Sequence, residues 1–255
     1  MREEIVQRLL DINREFYETF GGAFAATRRR LQPGILRVLA LQQPQGNWLD
    51  LGCGSGTLAA EWVRSGIPAS YTGLDFSEAL LREARLTVAE VLEAGTEPTI
   101  PMPHFLQADL LQTSWQASFQ PGSYDGILSF AVLHHIPGSH YRLRLLTATK
   151  QLLKPGAAFI FSVWQFQHSP RLMARLQPWD SVGLDESDLE PGDTLLDWRH
   201  ALPGQVEQSG LRYVHLFSRQ ELADLAAAAG FKQVDEFESD GNGGRLALYQ
   251  RWQRA

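Results

Sequence analysis

Three aspartates and one glycine-rich turn are the residues of this sequence best suited to binding a ligand. Asp50 precedes the turn Gly52–Gly56, and Asp75 and Asp109 each follow a short apolar run. Glycines let the backbone turn tightly and come close to a ligand. Carboxylates accept hydrogen bonds from hydroxyl and amino groups. The set predicts a site for a ligand that carries such groups.

An alternation of strand-like and helical segments is expected to position these residues. Apolar runs predict strands at 47–51, 70–74, 104–108, 124–129, 157–164, 231–237 and 245–252. Helical segments follow the first, second and fourth of these strands, which predicts right-handed crossovers and a parallel sheet. The turn at 240–244 predicts an antiparallel hairpin. The expected fold class is α/β, a Rossmann-like, doubly wound sheet of seven mostly parallel strands.

The 255 residues suit one domain with four parts. We assign 1–45 to an N-terminal helical lid, 46–164 to a cofactor-binding core, 165–217 to a substrate-side insertion, and 218–255 to a helix and hairpin. The insertion breaks the alternation of strands and helices. Trp179 and Trp198 favour ordered packing there over a mobile linker.

Composition excludes several classes of protein. The formal charge of −6 disfavours a stand-alone nucleic-acid binder, although Arg28, Arg29 and Arg30 leave room for a local basic face. The single cysteine, Cys53, forms no internal disulfide, and no cluster has zinc-ligand spacing, so we expect no metal. The charged N-terminus and the lack of long apolar runs predict no signal peptide and no membrane association. We expect a cytoplasmic protein.

The ligand follows from the positions of the acids. In open α/β sheets, ligands lie beyond the carboxyl ends of the strands. The glycine turn and Asp75 alone would also suit NAD or FAD, but Asp50 would repel a pyrophosphate and attract a cation. Asp75 suits a ribose diol, and Asp109 suits an exocyclic amine. A ribose, an adenine and a cationic amino-acid tail together describe S-adenosyl-L-methionine.

The sequence resembles the class I S-adenosylmethionine-dependent methyltransferases from about Phe16 to Trp252, most specifically at Leu49–Gly56. The resemblance implies a place for each cofactor-binding residue. Around the methionine part it places Asp50, Gly52, Gly54 and Gly56. At the ribose it places Asp75 and Phe76, and at the adenine Asp109 and Leu110. Near the sulfonium it places Phe130, and over the methionine carboxylate Tyr17 and Arg28, for which plain helix packing is the alternative.

A narrower likeness rests on five segments: Phe24–Arg28, Val132–His135, Phe161–Trp164, Asp193–Trp198 and Arg212–Phe217. In that order they are similar to the tRNA wobble-uridine methyltransferases that esterify a carboxymethyl group, alone or fused to an oxygenase. That resemblance implies tRNA as a partner. It also implies a small zinc-binding activator protein along the third strand, where prolines 101 and 103 favour activity without a helper.

A carboxylate acceptor needs placement in line with the methyl group more than it needs a strong base. We expect Arg212 to hold it, with a surface ion pair to Asp197 as the alternative. His135 orients the acceptor, takes a proton from an amine or hydroxyl acceptor, or is merely hydrogen-bonded inside its loop.

His215 and Tyr213 are further candidates for the acceptor pocket, and Trp164 and Trp198 for substrate contact, with packing as the alternative for Trp164. Two other functions stay open. One is an O- or N-methyltransferase for a small carboxylate, phenol or amine. The other is a cofactor-binding regulatory subunit without catalysis.

Overall fold

Ten strands and seven α-helices make up the computed structural model within the residues it describes, 1–26, 30–94, 101–200 and 208–255, with backbone alone at 22–26 and 200. The strands are β1 (Asn47–Leu51), β2 (Ser70–Asp75), β3 (His104–Gln107), β4 (Tyr124–Phe130), β5 (Leu153–Trp164), β6 (Leu176–Gln177), β7 (Asp193–His200), β8 (Gln208–His215), β9 (Phe231–Ser239) and β10 (Ala247–Arg254). The helices are α1 (Glu3–Ala26), α2 (Pro33–Gln42), α3 (Thr57–Arg64), α4 (Glu78–Glu93), α5 (Ser139–Leu152), α6 (Pro170–Met173) and α7 (Arg219–Ala229).

The main sheet has seven strands in the order β3-β2-β1-β4-β5-β10-β9. β1 to β5 are parallel to one another, and β10 is antiparallel to both β5 and β9. The strand order reverses between β1 and β4, which opens a crevice beyond their carboxyl ends. The predicted fold class is confirmed.

Strand alternation divides the core between the two faces of this sheet. On β5, Phe159 and Phe161 pack on the face that α5 and α7 cover, together with Trp252. Ile160 points to the opposite face, where Trp62 of α3 and its neighbours from α4 are buried.

The helix boundaries follow local sequence signals. α4 begins after Ser77, whose Oγ accepts a hydrogen bond from Leu80 N at 3.3 Å. α7 begins after Ser218, which accepts from Glu221 N at 3.1 Å, and it ends at Gly230 in the left-handed region. The spacing of Ser218 and Glu221 is that of a capping box, but the Glu221 carboxylate binds His215 instead of the Ser218 backbone N–H.

The insertion carries a second sheet, with three antiparallel strands in the order β6-β7-β8. The sequence analysis predicts no strand there. α1 packs against this sheet through Ile5, Leu9 and Ile12, which are buried with Tyr213. Trp198 packs on Phe16 of α1, with ring centroids 5.6 Å apart.

Candidate functional site

The turn between β1 and α3 has a shape that only glycine can supply. Gly52 and Gly56 have φ angles of +78° and +76°. A Cβ at Gly52 would lie 2.3 Å from Val132 Cγ2, and one at Gly56 would lie 2.7 Å from Ala84 Cα. Larger residues would therefore be strained and would collide with the neighbouring loop and helix.

A cavity of about 530 Å³ lies beyond the carboxyl ends of the parallel strands. Its size is in the range of small-molecule and cofactor sites. Eleven of the predicted site residues line it: Tyr17, Asp50, Gly52, Gly54, Asp75, Phe76, Asp109, Leu110, Phe130, His135 and Trp164. Gly56 ends the turn directly before α3 and does not line the cavity. Arg28 lies outside the described residues.

Asp50 is an almost fully buried acid in the cavity wall. Its side chain is 3% exposed, and the Tyr71 hydroxyl donates a hydrogen bond to Oδ2. Burial raises the pKa of Asp50 to about 7, against the Tyr71 hydrogen bond that lowers it, and the charge of Asp75 adds to the rise. A cation bound here would restore the ionised form.

Asp75 ties the glycine turn to the end of β2. Its Oδ2 accepts a hydrogen bond from Gly54 N at 3.0 Å, and its Oδ1 accepts from Ser77 N at 2.9 Å. Burial raises the pKa of Asp75, while these backbone hydrogen bonds oppose the rise. Phe76 next to it is exposed and meets the Tyr17 ring edge-on at 6.1 Å.

Cys53 lies in the same turn but is poorly suited to be a nucleophile. Burial raises the pKa of its thiol, and the charges of Asp50 and Asp75 raise it further. The thiolate, which is the reactive form of a cysteine, is therefore suppressed.

The opposite wall of the cavity comes from α1 and the loops after β4 and β5. His135 Nδ1 lies 3.1 Å from the Tyr213 carbonyl oxygen, which can only accept, so Nδ1 carries the proton. In the neutral ring, Nε2 then accepts from the Tyr17 hydroxyl at 3.1 Å. Asn13 Nδ2 donates to the His135 carbonyl at 3.4 Å.

Asn13 is a functional-site residue that the sequence analysis misses. It is buried, lines the cavity, and accepts a hydrogen bond from Tyr213 N through Oδ1 at 2.9 Å. A polar residue directly after Ile12, on the buried side of an amphipathic helix, is the signal that indicates it.

Arg212 lies one layer behind this wall. Its guanidinium carbon is 5.1 Å from the Trp164 ring centroid and 4.9 Å from that of Phe16. The side chain is buried, so the surface ion pair considered for it does not apply; Asp197 binds Arg199 Nε at 2.7 Å. Trp164 lines the cavity and also stacks on His134 at 5.3 Å.

Three predicted acceptor-side residues lie away from the cavity. Strand alternation explains two of them, since Tyr213 and His215 share one face of β8 while Arg212 lies on the other. Both point to Asp193, whose Oδ1 accepts from the Tyr213 hydroxyl and from His215 Nδ1, each at 2.7 Å. Trp198 packs against α1, as described above.

Comparison with known sequences assigns the family. Residues 24–236 match the methyltransferase domain family, which is most of the chain. The chain belongs to this family. The predicted enzyme class and its cofactor, S-adenosyl-L-methionine, are thereby confirmed, and the cavity with its three strand-end acids fits that cofactor. Within the described residues, no helix is long and apolar enough to span a membrane.

Relatives of this methyltransferase carry names that point to more than one acceptor. A methyltransferase of Encephalitozoon cuniculi is 28% identical over 222 residues, 86% of this chain and 87% of that protein. A ubiquinone biosynthesis O-methyltransferase of Nitrosococcus oceani is 38% identical over 45% of this chain and 42% of its own length. The tRNA methyltransferase 9B of Bos taurus is 22% identical over 77% of this chain and 37% of its own length. The chain thus spans less than half of the last two relatives.

A solved structure shares the fold. The S-adenosylmethionine-dependent methyltransferase of Methanosarcina mazei superposes with a TM-score of 0.59 at 22% identity, covering 88% of this chain and 98% of that one.

Proposed function

We propose that this methyltransferase esterifies a carboxylate, and that its acceptor is the carboxymethyl group of a wobble uridine in tRNA. The main support for this proposal is the chemistry of the cavity wall formed by α1 and the loop after β4. It presents Asn13, Arg14, Tyr17 and His135, which are hydrogen-bonding or cationic, whereas the three strand-end acids lie across the cavity. Such a wall favours an anionic acceptor.

The packing behind this wall holds it in place. Arg212 lies between the rings of Phe16 and Trp164, and Trp164 lines the cavity. A guanidinium stacked on an aromatic ring favours one orientation of that ring. Arg212 therefore supports the acceptor site by fixing Trp164 rather than by gripping the carboxylate directly.

The state of His135 also suits a carboxylate. A carboxylate is already ionised near neutral pH and needs no base. His135 has both ring nitrogens engaged, by the Tyr213 carbonyl and the Tyr17 hydroxyl. It therefore holds Tyr17 in the cavity wall, and neither of its ring nitrogens is available as a base.

When bound, S-adenosylmethionine supplies an electrophilic methyl group on a sulfonium. The chain's own residues do the rest by placement. Asp50, Asp75 and Asp109, which line the cavity, would hold the amino-acid end, the ribose and the adenine, and Asn13 and Tyr17 would orient the acceptor. Placement of this kind can lower a barrier by about 7–11 kcal/mol in favourable cases.

A small phenol is the second candidate acceptor, because of the likeness to the ubiquinone biosynthesis O-methyltransferase. A phenol must lose a proton, and His135 Nε2 could take it only after releasing Tyr17. The two acceptors thus differ in pH dependence. At saturating cofactor, transfer to a carboxylate should be flat from pH 6 to 7, whereas transfer to a phenol should rise with pH as more of the phenol ionises.

Transfer to bulk tRNA with methyl-labelled cofactor tests the proposal. After digestion to nucleosides, we expect the label in one uridine derivative. Mild alkali should release it as methanol, because an ester is cleaved and an N-methyl or ether group is not. Label that resists alkali, or label that appears only in small phenols and not in tRNA, would indicate another acceptor and count against the proposal.

A charge-reversal pair tests whether tRNA approaches this opening. Arg14 and Arg30 are exposed and line the cavity. Arg30→Glu should raise the KM for tRNA and reduce its dependence on salt, with cofactor affinity unchanged. Lys232→Glu is the matched control, because Lys232 is exposed at the start of β9, level with the amino ends of the parallel strands and away from the cavity at their carboxyl ends.

A further inference from the structure

A buried cluster of charges lies behind the acceptor wall, where the insertion meets the core. His215 is 1% exposed and lies between two carboxylates. Its Nδ1 is 2.7 Å from Asp193 Oδ1, and its Nε2 is 2.9 Å from Glu221 Oε1. Asp193 belongs to β7 and Glu221 to α7, so the ring joins the insertion to the core.

The charges of the cluster favour the imidazolium form. Burial and Arg142 of α5 lower the pKa of His215, but the hydrogen bonds to Asp193 and Glu221 outweigh them and raise it. Arg142 binds Glu190 and lies 3.4 Å from Glu221. Two cations thus face three carboxylates, and loss of the His215 proton would leave one cation for three.

Tyr213 connects this cluster to the cavity. Its hydroxyl donates to the same Asp193 oxygen that binds His215. Its carbonyl accepts from His135 Nδ1 at 3.1 Å, and its amide donates to Asn13 Oδ1 at 2.9 Å. The side chain of one residue is therefore fixed by the cluster, and its backbone fixes two residues of the cavity.

We propose that His215 is a positioning residue, which holds Asp193 on the Tyr213 hydroxyl and thereby fixes His135 and Asn13 in the acceptor wall. It touches neither the cavity nor the acceptor, so its effect passes through Tyr213. The proposal rests on the methyltransferase activity and not on the identity of the acceptor.

Two variants interrupt the connection at different points. His215→Gln removes the imidazolium, and Tyr213→Phe removes only the hydroxyl. Each should lower kcat/KM for the acceptor on the order of 10- to 100-fold, because small misplacements of reacting groups are costly. The affinity for S-adenosylhomocysteine should stay within about twofold. The double variant should be no worse than the more damaging single one, since both act on one link.

Thr149→Val is the matched control for a lost buried hydroxyl. Thr149 is fully buried and donates to Leu145 O within α5, away from the connection. We expect it to lower the melting temperature while leaving acceptor kinetics unchanged. If His215→Gln does not fold, Tyr213→Phe carries the test alone.

Nitrogen-15 spectra of His135 give a readout that needs no acceptor. The wild type should show His135 protonated at Nδ1 and not at Nε2, and both variants should shift these signals, while Thr149→Val should not. At saturating cofactor, the wild-type KM for the acceptor should rise with pH as His215 loses its proton, and His215→Gln should lose that dependence. The proposal would be overturned if both variants kept the wild-type His135 signals, or if the KM of His215→Gln kept the wild-type pH dependence. A failure to methylate tRNA would instead count only against the proposed acceptor.

Discussion

Replacing Asp50 with Asn should make this protein more stable and a weaker binder of its cofactor. The folded chain buries the Asp50 carboxyl almost completely, and burial raises its pKa from 3.8 to about 7. An acid whose pKa is raised by folding stabilises the folded state when protonated, and that stability is lost as pH rises through the folded pKa. Asparagine keeps the shape and the acceptor for Tyr71 without the charge.

The gain in stability of Asp50→Asn follows from the change in the pKa of Asp50 on folding. A rise of about three pKa units corresponds to about 4 kcal/mol of unfolding free energy at pH 8, where Asp50 is ionised in both the folded and the unfolded state. At pH 5 Asp50 is mostly protonated in the folded state, and the stability of Asp50→Asn over the wild type should shrink to about 2 kcal/mol. In a chain of this size, 4 kcal/mol corresponds to a melting-temperature rise of roughly 10 °C.

The assay is urea unfolding of the wild type and Asp50→Asn without cofactor at pH 5, 6, 7 and 8. Asp125→Asn is the control, because the pKa of Asp125 is lowered, against its partial burial, by hydrogen bonds from Lys154 and Asn47 N, so that variant should lose stability. Calorimetry should show cofactor affinity about 10- to 100-fold weaker for Asp50→Asn, as expected for a lost hydrogen bond to a charged group.

Wild-type affinity for the cofactor should itself rise about fivefold between pH 6 and pH 7, as Asp50 ionises. The reasoning is refuted if Asp50→Asn is no more stable than the wild type at pH 8, or if the gap does not narrow at pH 5. A stable variant with unchanged cofactor affinity would instead remove Asp50 from the methionine site.

Three further outcomes are expected. Gly52→Ala should abolish cofactor binding in calorimetry because its Cβ meets Val132, whereas Gly66→Ala, with a similar positive φ and no atom within 4 Å, should retain it at a stability cost of about 1 kcal/mol. Asp75→Ala should weaken cofactor binding and loosen the glycine turn, and amide exchange at the turn should increase; unchanged affinity would mean that the ribose lies elsewhere. Ser218→Ala should lower the free energy of unfolding by about 1 kcal/mol without changing cofactor affinity, which denaturation and calorimetry would show together.

The cofactor half of the site could be predicted from sequence because its signals are local. The glycine turn follows β1 directly, and Asp75 ends β2, so each acid lies within a residue or two of the strand that places it. Parallel pairing then brings the strand ends together, with Leu51 opposite Leu74. No long-range information is needed beyond the alternation of strands and helices.

The acceptor half could not be predicted in the same way. Tyr213, His215 and Arg212 are close in sequence, but strand alternation sends them to two faces of β8, and β8 itself was not predicted. Its partner β7 has no strict apolar alternation, and its ends carry Asp193 and His200. The contact of Asn13 with Tyr213 spans 200 positions of the chain, which no local pattern reveals.

The position of β10 has a consequence for assembly of the sheet. β10 follows β9 in the chain, yet it lies between β5 and β9, and Trp252 is fully buried there. Among the residues that the structure describes, β9 pairs with β10 alone, so it can join the sheet only after β10, which is synthesised later, has formed. Until then β5 presents an unpaired apolar edge, open to strands of other chains. We therefore expect nascent or truncated chains that lack residues 247–254 to aggregate rather than to accumulate as a smaller folded core.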